Sequence, residues 1–528
     1  MSFAPPAASS RRRNRATAQA FVIALAWLGC LAWMRPLSIP DEGRYVGVAW
    51  EMLRSGNWIT PTLDGLPFLH KPPLFYWLTA TLMAFFGPLE LAARGASILA
   101  GAVTVAVLYS TVREWLGDRT ARLAALVLAT QPLFFAASQF ANLDMLVASC
   151  ISACILLGAN AAMRREANLP YGNQLALAYV AMALGILAKG LIGMVIPAMV
   201  LLAWLGPFGQ WRSIRVLLWP PGLAIIAVIV LPWFLTQQSL YPRFFDYFFW
   251  DQHFRRFVGT GFNGAQPHWF YGPVLLGFTL PWSAWLIPLL RQSRWPRSTG
   301  AAVLSLMWVW LGTVILFFSI PQSKLVGYVI PALTPLAVLV AVAASRLCGV
   351  SGLALRMWRI SFCFAGTLCI GGAIAFALVH PKSSKELAIR LAAQRAAGEG
   401  IAFVDDYRYD VPFYLGESVP IVVVSSWDPA DVQSHDNWRK ELADAGSFAP
   451  SLAEGRLVDQ ARFVSMVCDR RITWVIASVD QSRNYAFLEA RRAIAFAGER
   501  ALWHTDVTDP RFGSTVGCNR LPRRDLRE

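Results

Sequence analysis

The sequence predicts a polytopic α-helical membrane protein with a smaller soluble α/β domain after it, and three observations carry that prediction. Of 528 residues, 56% are hydrophobic and only 15% charged, at a mean hydropathy of +0.46, whereas soluble domains carry about 25% charged residues. The apolar residues come in blocks of the roughly 20 needed to cross hydrocarbon. The formal charge of +15 is also uneven: residues 1–380 hold 27 Lys+Arg against 11 Asp+Glu, and residues 381–528 hold 20 against 21. The division falls near His380-Pro381. Residues 1–380 are therefore expected to form the membrane domain, with a first outer loop over 35–90, and residues 381–528 the soluble domain.

The first apolar block, "ATAQAFVIALAWLGCLAW" (16–33), follows the basic run "RRRNR" (11–15). No small-x-small cleavage site in it precedes a soluble sequence, and further spans follow, so it reads as a retained first helix rather than a signal peptide. Ten more segments lie near 91–112, 121–138, 143–162, 175–188, 190–205, 216–236, 271–290, 301–320, 327–345 and 358–379. The count is about 11–13, because "PLFYWLTATLMAFFG" (73–87) and other short stretches can add to it. Basic clusters at 11–15, 113–122, 164–166, 210–215, 291–297 and 346–359 set the orientation: N-terminus in the cytoplasm, C-terminal domain outside. The positive excess follows from this rule and calls for no nucleic-acid partner.

In the tail, "GIAFVDD" (400–406), "VPIVVVSS" (419–426) and "RITWVIASV" (471–479) read as buried strands, and 384–397 and 481–497 as helices. Six of the eight cysteines lie in or beside apolar segments, while Cys468 and Cys518 lie in the tail, where an oxidising compartment would let them pair. The chain has no internal repeat, low-complexity tract, Gly-rich phosphate loop or CxxC pair, which argues against an ATP-driven pump.

Eight of the eleven acids before residue 380 fall on the outer side, among them Asp41, Glu42 and Asp144. The positive-inside rule says little about acids, so they point to a polar site on the outer face. Pro40-Asp41-Glu42 reads first as the start of a helix, with carboxylates at its positive end. Arg44 lies one turn on from Asp41, on the same face. Lys71, held between His70 and Pro72-Pro73, supplies a second cation. Cations beside a carboxylate suit a phosphorylated ligand: the cations hold the phosphate, and the carboxylate orients or deprotonates the attacking group. Asp144, where a span begins, is costly unless paired or solvated, and helix capping by it or by Asn142 is the structural reading. Lys189 in "GILAKGLIG" reads as a turn between two short spans. Lys324 in "IPQSKLVGYVIPALTP" marks another turn, with Tyr328 four residues on. His70 and His253 are candidate ligands for a divalent metal, without a fixed ligand spacing.

"DEGRY" (41–45), "EML.SGNW..P.L.G.PFLHKPPL.YW" (51–77), "LEL.AR" (89–94), "NLDM" (142–145), "L.KG" (187–190) and "SKL..Y..P...P" (323–335) occur in this order. Together they resemble the family 39 glycosyltransferases of the membrane-embedded GT-C class. That family includes protein O-mannosyltransferases and, closer in pattern, the bacterial 4-amino-4-deoxy-L-arabinose transferases that modify lipid A. The resemblance implies a GT-C fold in the bacterial inner membrane, a polyprenyl-phosphate-linked sugar donor, and lipid A or another envelope acceptor on the periplasmic face. It also implies that Asp41 is the catalytic carboxylate of the first loop and Asp144 a second outer acid. Arg44 and Lys71 would contact the donor phosphate, and Lys324 and Tyr328 would line the donor pocket. Where aminoarabinose transferases typically carry an acid before this lysine ("EKP"), the chain has His70.

Two other readings stay in view. One is transfer of another sugar to a different glycan or to a protein hydroxyl. The other is a lipid-linked sugar flippase, which would be expected to place ionisable groups or broken helices near the bilayer midplane. The candidate acids cluster instead at outer span ends, which favours the transferase.

Overall fold

The computed structural model describes residues 10–206, 214, 217–255, 265–290, 299–349, 351–379, 382–417, 419–469, 471–489, 491–505, 516 and 518. The basic runs at 210–213 and 291–297 lie outside these. The chain forms two compact units: Met1–Arg35 with His70–Val379, and Pro36–Leu69 with His380–Glu528.

The first unit is helical. Among its described residues, seven helices are long and apolar enough to cross a membrane: Glu90–Leu116, Leu143–Glu166, Gly172–Lys189, Pro220–Leu240, Gly300–Ser319, Val326–Leu347 and Gly352–Leu378. The difference from eleven has local causes. Asp118–Thr130 and Pro132–Ser138 count as an eighth only when the pair is taken as one span; they are bent by 65° where Pro132 withdraws a backbone donor. Ile192–Leu205 has only 14 residues. The 271–290 segment is split into Tyr271–Phe278, a 3-10 turn at Trp282–Leu286 and Ile287–Leu290. The first helix, Ser10–Gly29, begins inside the basic run. Leu74–Phe86 adds a shorter apolar helix.

Leu143–Glu166 is the most enclosed of these helices and Gly352–Leu378 the least. The 143–166 helix buries nearly every residue from Leu143 to Met163, and small side chains (Ala148, Ala153, Gly158, Ala159) let its neighbours approach. Gly172–Lys189 and Ile192–Leu205 form a tight pair that turns at Gly190, φ 94°, a conformation glycine adopts without steric cost. A Cβ on Gly193 would overlap the backbone of Gly185. This close crossing fixes Lys189 at the end of its helix. Arg94, from the "LEL.AR" motif, is buried and donates to the carbonyls of Ala32 and Arg35, beyond the end of the first helix.

The second unit is built on a six-stranded sheet in the order β5-β4-β3-β6-β8-β7. Its strands are β3 (Ile401–Val404), β4 (Ile421–Val424), β5 (Leu457–Val458), β6 (Trp474–Ser478), β7 (Ala495–Ala497) and β8 (Arg500–His504). β3 to β6 are parallel neighbours, and β8 and β7 add antiparallel to β6 and to each other. β3 and β4 are buried along their whole length, as continuous apolar runs such as "IVVV" require when helices cover both faces.

The three strands expected from the sequence are present, and 384–397 is helical over Lys385–Gln394. The expected helix at 481–497 is not. The chain makes short turns at Val479–Ser482 and Ala486–Glu489 and then β7, which pairs with β8 across Gly498, φ 58°. Hairpin pairing to an existing sheet edge overrides a helical pattern there. Cys468 and Cys518 are disulfide-bonded.

The same unit takes in the first loop. Its helix Asp41–Ser55 is followed by a small hairpin, β1 (Thr62–Leu63) and β2 (Leu66–Pro67), around Asp64 and Gly65, both at positive φ. Asp-Gly is the pair that a two-residue hairpin turn of this hand favours. Glu51, 5% exposed, holds this turn: its carboxylate accepts from Thr62 Oγ1 (2.8 Å), Asp64 N (2.6 Å) and Gly65 N (2.9 Å). Asp64 Oδ1 accepts from Ile421 N at the start of β4 (3.0 Å) and lies 3.6 Å from Arg456. Burial, above all, raises both carboxyls above their ordinary range.

Candidate active site

In the second unit, the "DEGRY" segment starts the 41–55 helix, and its two acids part company. Glu42 is fully buried, and its Oε2 accepts from Ser38 N at 2.9 Å, a reach-back that satisfies a donor at the helix start. Asp41 points elsewhere: its side chain is 46% exposed and receives Arg44 Nη2 at 2.6 Å. Two neighbours on a helix project about 100° apart, so one acid serves the fold while the other remains accessible. Arg44 is 17% exposed. Its Nη1 is paired with Glu441, on the Trp438–Gly446 helix, and its guanidinium lies 5.0 Å from the Tyr45 ring centroid. Burial opposes its charge, but Glu441, Tyr45, Asp41 and Tyr409 together hold it well above its ordinary value.

In the first unit, Asn142 caps the 143–166 helix by accepting from Asp144 N at 2.8 Å. That leaves the Asp144 carboxylate for another partner, and Lys189 is that partner: Nζ is ion-paired with Asp144 Oδ1. The ammonium also lies over the Tyr328 ring, 4.6 Å from its centroid. Gly327 borders the pair, since a Cβ there would collide with Asp144 Oδ2. Tyr328 and Asp144 thus share one cluster.

Lys324 does not join that cluster. It is buried, and Nζ donates to the carbonyls of Gln266 and Pro321, which fixes the 321–325 turn. Lys71 sits half-buried immediately before Pro72-Pro73 and the Leu74–Phe86 helix. The His70 ring packs edge-on against Tyr247, centroids 5.6 Å apart. His253 falls in the Asp246–Arg255 π-helix, and its side chain lies outside the described residues. Among the described residues no three His, Cys, Asp or Glu side chains converge as a metal site.

Residues 70–235 match the family model of dolichyl-phosphate-mannose-protein mannosyltransferases. The chain is 32% identical over 369 residues to undecaprenyl phosphate-alpha-4-amino-4-deoxy-L-arabinose arabinosyl transferase 2 of Pseudomonas fluorescens (strain Pf0-1), covering 68% of this chain and 66% of that one. It is 35% identical over 319 residues to the corresponding transferase of Pseudomonas aeruginosa (strain LESB58), covering 58% and 57%. The fold matches ArnT from Cupriavidus metallidurans bound to undecaprenyl phosphate with a TM-score of 0.78 at 23% identity, over 93% of this chain and 98% of that chain. The chain has the fold of the GT-C glycosyltransferases. It spans about three-fifths of the length of the two Pseudomonas relatives.

Within this GT-C fold, sequence reasoning missed two groups that contact candidate site residues. Lys189 read as a turn, and the turn is there, but its ammonium also neutralises Asp144. The signal was a lone cation in an apolar run. Glu441 gave no signal, because nothing in the local pattern "NWRKELADAG" separates it from a solvated helix face.

Proposed function

We propose that this chain transfers 4-amino-4-deoxy-L-arabinose from an undecaprenyl-phosphate donor to a lipid A-type acceptor on the outer face of the bacterial inner membrane. The observation that carries this reading is the identity of 32–35% to transferases named for that donor, together with the accessible Asp41 braced by Arg44. In the reaction, an acceptor oxygen forms the new bond to the anomeric carbon while the bond from that carbon to the donor phosphate oxygen breaks. Undecaprenyl phosphate leaves with the electron pair. Asp41 orients the acceptor, and takes its proton where the attacking group is a hydroxyl. Lys71 offsets the charge gathering on the leaving phosphate. Asp144, held by Lys189 beside Tyr328, serves as the second outer acid.

Orientation belongs to the same proposal. The N-terminus is cytoplasmic, as the basic run at 11–15 favours. The C-terminal α/β domain is periplasmic, which the Cys468–Cys518 disulfide supports, since such bonds persist in oxidising compartments. His70, where aminoarabinose transferases typically carry an acid, favours a second reading in which the sugar differs.

The test is transfer by purified protein in detergent. Undecaprenyl-phosphate aminoarabinose and lipid A are supplied, and the lipid product is read by mass spectrometry. Gain of one amino-pentose supports the reading. No product from this donor, with product from another polyprenyl-phosphate sugar, supports the second reading. Movement of donor across vesicles without any transfer refutes both.

A further inference from the structure

Arg44 is shared between two carboxylates. Nη2 meets Asp41 and Nη1 meets Glu441, a residue 397 positions later in the chain. Glu441 is 13% exposed, and its other oxygen accepts from Tyr409 OH at 2.6 Å. The helix that carries Arg44 packs tightly against residues 409–410: a Cβ on Gly43 would come 3.0 Å from Asp410 N and 3.1 Å from Tyr409 Cβ, and one on Gly47 would come 3.0 Å from Tyr409 O. Leu37 N and Ile39 N are bonded to Tyr414 OH (2.7 Å) and Lys382 O (2.9 Å) on the same side. The start of the 41–55 helix is therefore fixed against the C-terminal segment, and Glu441 is the acid that this packing delivers to Arg44.

We infer that Glu441 is a positioning residue for the transfer: through Arg44 it sets the orientation of Asp41, with Tyr409 fixing Glu441 in turn. The inference rests on Asp41 being the reacting carboxylate. The physical argument is competition for one fork. With Glu441 in place, Arg44 gives Asp41 a single hydrogen bond and leaves its second oxygen open to an acceptor. Without the Glu441 charge, both guanidinium arms are free to close on Asp41 as a bidentate pair, the preferred geometry of arginine with a carboxylate. That occupies both oxygens and turns the carboxylate away. The substrate still binds, but it meets a misplaced group, and displacement on the ångström scale costs up to ~10²-fold in rate.

The experiment compares Glu441→Gln, Glu441→Asp, Tyr409→Phe, Arg44→Gln and the Arg44→Gln/Glu441→Gln double variant with Asp41→Asn. All are measured as full-length protein of matched melting temperature and gel-filtration profile. Glu441→Gln should lower kcat by ~10- to 100-fold with KM for the donor within about twofold. Tyr409→Phe should show the same pattern at smaller size, and Glu441→Asp should recover part of the loss. In the Arg44→Gln background, Glu441→Gln should add less than about a further twofold, because a residue acting through another shows non-additivity. Wild-type kcat in Glu441→Gln, alongside an inactive Asp41→Asn, overturns the inference and leaves the reading of Asp41 standing. Full additivity in the double variant also overturns it. Wild-type turnover in Asp41→Asn removes the reading of Asp41, and the inference with it.

Discussion

Replacing Asp64 by Ala and by Asn separates what holds the first loop to the rest of its unit. The Asp64 backbone is left-handed, φ 53°, a conformation that costs ordinary L-residues about 1–2 kcal/mol and that Asn and Asp tolerate. Its Oδ1 is the acceptor for Ile421 N at 3.0 Å, inside a buried site. Asp64→Ala therefore strands a buried N–H, at about 1–3 kcal/mol, and adds the backbone cost, for a total of about 2–5 kcal/mol. Asp64→Asn keeps the acceptor and the turn and removes the carboxyl's titration together with its charge interaction with Arg456. The pH dependence follows from sign. Burial first, then Glu51, push the Asp64 carboxyl well above its ordinary value against the pull of Arg456, so the folded unit holds that proton more tightly than the unfolded chain does. Its contribution is complete below the ordinary carboxylate range and is lost as pH rises through the elevated value. Melting of detergent-solubilised protein, followed by tryptophan fluorescence from pH 4 to pH 8, should show the wild type losing stability toward pH 8. Asp64→Asn should give a flatter profile, and Asp64→Ala the lowest melting temperature at every pH, with the 56–69 segment cut fastest by protease. Equal melting of the two variants, or a wild type that gains stability toward pH 8, would refute this account of the anchor.

Asp41→Asn should fold normally and lose turnover by at least ~10²-fold, whereas Glu42→Gln should keep turnover and melt about 1 kcal/mol lower through its weakened helix start; the reverse pattern in the transfer assay would exchange their roles. Lys189→Met should destabilise the protein by about 3–5 kcal/mol, because it leaves Asp144 enclosed without a counter-charge, and Asp144→Asn in the same chain should recover part of that in a thermal melt. Cys468→Ser should cost about 4 kcal/mol, worked from the entropy of closing a loop with a sequence separation of 50; an unchanged midpoint in oxidised and reduced buffer would contradict it.

Much of the fold is legible in the sequence for one physical reason: hydrocarbon demands that a spanning segment satisfy its own backbone, so apolar blocks become helices almost regardless of context. The exceptions are places where a single residue outweighs the block. Pro132 bends one span, Leu280-Pro281 falls within another that is broken, and at 481–497 the edge of a sheet recruits residues with a helical pattern. The Asp41–Arg44 pair is legible too, because it is local, three residues apart on one helix. Asn142 against Asp144 as the cap is a choice the pattern leaves open. The backbone decides it: Asn142 is extended, φ −143° and ψ 145°, while Asp144 already lies within the helix and is left with a carboxylate to pair.

Lys189 with Asp144, and Glu441 with Arg44, are of another kind, separated by 45 and 397 residues. No periodicity reports a pair whose members belong to different helices. What the sequence does hold is the cost that each partner would bear alone: a lysine ending an apolar helix and an arginine enclosed beneath a tyrosine both require counter-charges. Desolvation thus says that a partner exists, and topology says which one. Arg44 makes the consequence concrete. Read locally it has one carboxylate and a surplus donor free for a phosphate. Read in the folded unit it has two carboxylates, and the three groups together carry a net negative charge. Both arms of Arg44 are thereby engaged by carboxylates, which is what the local reading of a phosphate-binding cation leaves out.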